Sequence, residues 1–198
     1  MRRLSRTESR ERTREQLLET ARLLFLRDGY HATSLEKVAE AAGFSKGAVY
    51  SNFRSKDELC LAVLEQLEQE ELAAVAAALA AGDTWAQRAD ALRDWAEHAV
   101  GDAGWTLLGI ELAVQARRDP VLRDGLVRKH RAAVELLAAA LAGQFDRDGR
   151  RPALPVPTLA AALLDLAIGL AIGRSLDPQR PVDTLTETLQ ALVGSDPG

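Results

Sequence analysis

Cysteine is nearly absent from this 198-residue chain: Cys60 stands alone. A lone thiol excludes an internal disulfide and a thiolate-built zinc site, and it fits a reducing, cytoplasmic setting. Aromatic residues make up only 5% and there are seven prolines, while runs of β-branched residues are almost missing. A sheet therefore has little to build from. Arg2, Arg3 and Arg6 are not followed by an apolar stretch, so no secretory leader is expected. The longest apolar run, Leu159–Ile172, is shorter than the roughly 20 residues that a bilayer demands. It carries Asp165 and follows Pro155 and Pro157, so a buried helix is expected and no membrane partner. Phosphate-cradling glycine loops, dinucleotide glycine motifs and a cysteine–histidine nucleophile pair are all lacking. No enzyme activity and no cofactor are expected. Neither low-complexity tracts nor fixed-period repeats occur.

What is present is alanine and leucine, within 47% apolar and 27% charged residues. That is an ordinary globular composition with strong helix propensity, so the expected fold class is all-α, with about nine helices. The net charge of −4 conceals an asymmetry. Residues 1–54 hold 11 basic and 7 acidic groups, whereas residues 55–198 hold 14 basic and 22 acidic. A basic head on an acidic body suits a polyanion-binding module on a support; a solvated N-terminal face explains the same excess.

Residues 1–9 read as a polar arm. From Thr13, apolar residues Leu17, Leu18, Ala21, Leu24 and Phe25 recur at helical spacing, and Gly29 is expected to end the helix. Thr33-Ser34-Leu35-Glu36 has the form of a capping box, with Leu35, Val38, Ala39 and Ala42 on the inner face of a short second helix. Gly43 stops it, Phe44 is expected as a buried plug, and Ser45 caps a third helix that buries Val49 and Phe53. Ser55-Lys56-Asp57-Glu58 opens a long fourth helix toward Ala81. Further helices are expected over Thr84–Val100, Trp105–Arg117, 121–145, Thr158–Leu176 and Val182–Val193, with a loop over Asp146–Pro157. The chain is accordingly divided into an arm plus helix-turn-helix domain, 1–56, and a helical body, 57–198.

The unit Leu35–Phe53 carries the sharpest functional signal. Two short helices meet across Gly43, and the second begins Ser45-Lys46-Gly47-Ala48. A helix that enters the major groove end-first needs a narrow tip, which Gly47 and Ala48 supply. Its free N–H groups favour phosphate, and Ser45, Lys46, Tyr50 and Asn52 set donors around them. Thr33 and Lys56 stand at two further helix starts. Each polar residue alone is explained as a cap or a solvated side chain; their joint placement is what argues for double-stranded DNA.

At these residues the chain resembles the TetR family of bacterial transcription regulators. The resemblance runs from Thr13 to Leu59 through Thr13-Arg14, Ala21, Phe25, Gly29-Tyr30, Thr33-Ser34, Val38-Ala39, Ala42-Gly43-Phe44-Ser45-Lys46-Gly47, Val49-Tyr50, Phe53, Lys56 and Leu59. It covers about a quarter of the chain. The resemblance implies a homodimer that binds a palindromic operator and a C-terminal domain that binds a small-molecule effector. The role expected is a repressor released by that effector, with an activator or a protein-interaction module as the alternative. It places the DNA-binding set at Thr33, Ser34, Ser45, Lys46, Gly47, Ala48, Tyr50, Asn52 and Lys56. Asn52 departs from the histidine many members carry.

In the body, Trp95, His98, Trp105, Glu111, Gln115 and Asp165 are the candidates for an effector site, Trp95 doubling as ordinary core. Asp165, among Leu and Ala, needs a partner, which an interface or a ligand would supply. Asp94, His98 and Asp102 share a helix face at metal-ligand spacing, but a charged outer face with an Arg93–Glu97 pair explains them, and no metal is expected. Homodimer contacts are expected through Thr158–Leu176 and Val182–Val193, where Gly169 and Gly173 allow close approach.

Overall fold

The computed structural model describes residues 5–99 and 104–193. Among them it is entirely helical: α1 (Arg6–Ala32), α2 (Leu35–Ala41), α3 (Lys46–Tyr50), α4 (Lys56–Ala80), α5 (Trp85–Ala99), α6 (Gly104–Ala116), α7 (Pro120–Asp148), α8 (Val156–Leu176) and α9 (Asp183–Val193). Two compact units emerge. The first comprises Met1–Leu67 with Leu107–Leu126, the second Glu68–Thr106 with Val127–Gly198. The boundary expected at residue 56 thus falls inside the first unit, which also takes in the start of α4 and most of α6.

In the first unit, α1 starts at Arg6, seven residues before the expected Thr13, so residues 6–9 are helix and not an arm. Ser5 caps it and forms a reciprocal box with Glu8: the Glu8 N–H donates to Ser5 Oγ at 3.2 Å and the Ser5 N–H to Glu8 Oε2 at 2.7 Å. Leu17, Ala21 and Phe25 are buried as the spacing demands. Gly29 bends the helix without ending it. Its φ of 79° and ψ of 173° interrupt the helical path, and one further turn continues to Ala32. The N-cap of α2 is Ser34, one residue later than expected, its Oγ accepting from the Lys37 N–H at 3.2 Å. α2 packs against both α1 and α3. Gly43, with φ of 72°, turns the chain between them in a conformation that other residues resist. Val49 and Phe53 are fully buried, but Phe44, expected as a buried plug, is only half-buried.

In the second unit, α9 packs on α5 and α8, and Leu79, Leu92, Leu141, Phe145, Leu159 and Leu170 lie in a continuous apolar core. α8 begins two residues early, since Pro157 in its first turn forfeits an N–H that has no partner there. At 21 residues it is long and apolar enough to cross a membrane by length and composition. Here Leu159, Ala160, Leu163, Leu170 and Ala171 are buried in the protein core, while Ala162, Asp165 and Gly169 are exposed. The helix expected to be buried is thus covered by its own chain on one face and open on the other. Buried Arg88 is held by Asp148 in an ion pair, and Lys129 by Glu68 at 2.6 Å.

Candidate nucleic-acid interface and body cavity

The tip of α3 is built as a slender, exposed end. Ser45 Oγ accepts the Ala48 N–H at 3.2 Å, which fixes the first turn, and Ser45, Lys46 and Gly47 are exposed. A Cβ added to Gly47 would meet nothing nearer than Ser45 Oγ at 3.8 Å. Internal packing therefore does not require glycine at this position.

Tyr50 is 51% exposed, and its hydroxyl donates to Glu36 Oε1 on α2 at 3.0 Å. That bond pushes the Tyr50 hydroxyl above its ordinary pKa. Glu36 is held below the usual carboxylate range by its own backbone N–H first, then by Tyr50 and Ser34. Nearby Lys46 contributes a smaller electrostatic pull in the same direction. A carboxylate thus sits at the edge of an otherwise cationic and polar tip.

Two arginines of α1 brace the far end of α3. Arg10 Nη2 donates to the Ser51 carbonyl and Arg14 Nη1 to the Asn52 carbonyl, each at 3.1 Å. The Arg14 guanidinium also lies 4.3 Å from the Phe53 ring centroid. These contacts satisfy carbonyls that a short helix leaves open. Their positioning role was not recognised from the sequence, although Arg10 and Arg14 are one turn apart, a spacing that puts both on one helix face.

Three of the expected DNA contacts have partners within the chain. Thr33 is buried, and its hydroxyl donates to the Gly29 carbonyl at 2.9 Å, so it closes α1 and leaves no side-chain group at the surface. Lys56 turns inward: its ammonium donates to the Tyr30 carbonyl at 3.0 Å and lies 4.0 Å from that ring's centroid. A helix-end carbonyl and an aromatic face together hold the cation that was expected to meet a phosphate. Asn52 is half-buried, with its amide donating to the Ala48 carbonyl at 2.8 Å. Ser34, Ser45, Lys46, Gly47, Ala48 and Tyr50 remain on or near the outer face.

The second unit holds a cavity that is partly open to solvent at its mouth. Its walls are almost wholly apolar, from Leu72, Val75 and Leu79 of α4 to Leu164, Ile168 and Ala171 of α8. Trp95 and Trp105, two of the candidate effector residues, line it. His98, Glu111, Gln115 and Asp165 do not. His98 is exposed and its Nδ1 donates to the Asp94 carbonyl at 2.7 Å. Glu111 belongs to the first unit, where Oε2 accepts the Tyr30 N–H at 2.6 Å. Gln115 and Asp165 face solvent, so neither carries the buried polar group that was expected.

Glu68, Glu71, Thr106 and Thr186 line the cavity instead. A helical periodicity read one segment at a time did not bring them together. The expected Arg93–Glu97 pair is replaced by Arg93 with Asp90 and Asp183, and Glu97 with Arg174. Asp102 lies outside the described residues; among the described ones no group of three metal-ligating side chains occurs.

Residues 17–63 match the family model described as bacterial regulatory proteins, tetR family. The HTH-type transcriptional repressor AcnR of Corynebacterium glutamicum is 27% identical over 179 residues, 88% of this chain and 90% of that protein. The HTH-type transcriptional activator FasR of Mycolicibacterium smegmatis is 29% identical over 178 residues, 88% and 77% of the two chains. In fold, a crystal structure of a transcriptional regulator from Rhodococcus sp. RHA1 superposes with a TM-score of 0.77. It is 19% identical and covers 91% of this chain and 95% of that one.

Proposed function

We propose that this chain, which belongs to the tetR family of bacterial regulatory proteins, reads a palindromic operator as a homodimer and is released from it by a small-molecule effector. The observation that carries the DNA reading is the tip of α3. Ser45, Lys46, Gly47 and Ala48 form an exposed, narrow leading edge, capped internally and braced by Arg10 and Arg14. Ser34 at the start of α2 and Tyr50 flank it with further donors, which suits phosphate clamping on either side of a helix in the major groove.

The second protomer pairs through α8. Its open face presents Ala162 and Gly169, and a Cβ at Gly169 would meet nothing within its own chain, so a partner helix can approach closely. Gly173 is spent differently, covered by the Arg180 side chain. α9 contributes at the margin, because Val182, Leu185 and Leu189 already face its own core.

The effector occupies the cavity. Helix α4 lines it with Glu71, Leu72 and Val75 and, at its other end, holds Tyr30 through Lys56 and Asp57. An effector that moves operator occupancy from 99:1 to 1:99 must prefer one state by about 5.5 kcal/mol. Repression is the reading retained, with activation as the alternative, since similar proteins carry both descriptions.

Selection from a random duplex pool, followed by hydroxyl-radical footprinting, tests the DNA reading. Two protected half-sites related by a two-fold axis are expected. An unenriched pool contradicts it and favours a protein-interaction module.

A further inference from the structure

We propose that the body cavity takes a lipophilic organic cation, with its charge set against Glu71, an inference that rests on the effector reading above. The cavity wall carries two carboxylates. Glu68 is already compensated, because Lys129 Nζ lies 2.6 Å from Oε1 and both side chains are largely buried. Glu71 is different. Among the described residues its side chain has one hydrogen-bonding partner, the Trp95 indole N–H at 2.9 Å, and no ion-paired cation. A carboxylate has about four acceptor positions, so one neutral donor leaves the others open to a ligand or to water.

A carboxylate on an otherwise apolar wall discriminates sharply between ligand charges. An organic anion entering the cavity meets Glu71 and finds no cation among the residues that line it. An organic cation gains the charge it faces, and the rings of Trp95 and Trp105 supply cation–π attraction on the same walls. The remaining lining is aliphatic apart from Thr106 and Thr186, which suits an apolar body. Trp105 adds a second feature: its Nε1 is buried and has no partner among the described residues.

Three probes of similar bulk separate charge from shape: tetraphenylphosphonium, triphenylphosphine oxide and tetraphenylborate. Calorimetric titration of the full chain is expected to rank them cation, then neutral, then anion, with the cation favoured over the anion by at least about tenfold. Glu71→Gln keeps an acceptor for the Trp95 N–H but removes the charge. In that variant the cation is expected to lose on the order of tenfold in affinity, while the phosphine oxide is unchanged. Equal or reversed ranking in the native chain, or failure of all three to bind, overturns the proposal, and neither result needs the variant to fold. Operator affinity measured beside each titration separates the two readings. Cation binding that leaves DNA affinity unchanged upholds the ligand class and overturns effector control. DNA release by the anion alone upholds effector control and overturns the ligand class.

Discussion

Glu111 Oε2, on α6, accepts the backbone N–H of Tyr30 at 2.6 Å, one residue after the bend at Gly29. The bend and the carboxylate define each other. A helix interrupted at Gly29 leaves an N–H open, and Glu111 fills the space where a side chain would otherwise project. Tyr30 is then gripped from the other side, its carbonyl and ring by Lys56 and its hydroxyl by Asp57. The last turn of α1, which leads directly into α2, is fixed by these contacts.

Gly29→Ala is expected to destabilise the protein by about 1–3 kcal/mol, because its φ and ψ lie in a region open essentially to glycine alone. The new Cβ also comes within 3.2 Å of Glu111 Oε1. Urea unfolding measures this, and an unchanged midpoint contradicts the account of the bend.

Gly47→Ala is expected to behave in the opposite way. Within the chain the added methyl has room, and alanine favours helix over glycine by up to about 1 kcal/mol. Stability should hold or rise while operator affinity falls by about tenfold or more, as the tip thickens against the duplex. Retained affinity in a folded variant argues against end-first docking of α3.

Glu36→Gln removes a charge from the edge proposed to face DNA and keeps an acceptor for Tyr50. Glu36 is held below the ordinary carboxylate range, so it stays ionised well into acid and opposes phosphate throughout the neutral region. Operator affinity should rise on the order of threefold in fluorescence anisotropy. A fall would assign Glu36 a direct role in recognition.

Burial, aided by the charge of Asp57, pushes the Cys60 thiol up to about 12 from an unperturbed 9.0. The native state therefore holds this proton more tightly than the unfolded chain does. Stability from this source is complete below pH 9.0 and is lost as pH climbs toward about 12. Tyr30, raised by burial first and by Asp57 second, acts in the same alkaline direction. An aromatic disulfide reagent at pH 8 should leave Cys60 unmodified until the protein is unfolded; rapid native labelling contradicts this.

Where the sequence was informative, two signals coincided. The helical spacing of Leu17, Ala21 and Phe25 and the capping pattern at Ser45 gave the DNA-reading module, because buried faces and helix starts are local properties. The early start of α1 was missed because residues 6–12 are polar all round and carry no apolar period, although the Ser5–Glu8 box was there to be read. The partner that holds Lys56 and Glu111 was not legible for another reason. Their partner, Tyr30, is 26 and 81 residues distant in the chain. Asp165 looked buried because its neighbours are apolar, yet α8 turns it to the open face. Long-range pairing and the choice of which helix face is covered are tertiary properties, beyond any local pattern.

The most direct test of the central claim is a salt series on operator binding with the native chain, Lys46→Ala and Lys56→Ala. If the α3 tip meets phosphate and Lys56 does not, affinity falls linearly on a log–log plot with a slope near −0.9 per contact. Lys46→Ala should reduce the steepness by about one unit, and Lys56→Ala should leave it unchanged while lowering stability. A native chain that ignores duplex DNA at low ionic strength, or a slope that responds to Lys56 and not to Lys46, would contradict the account.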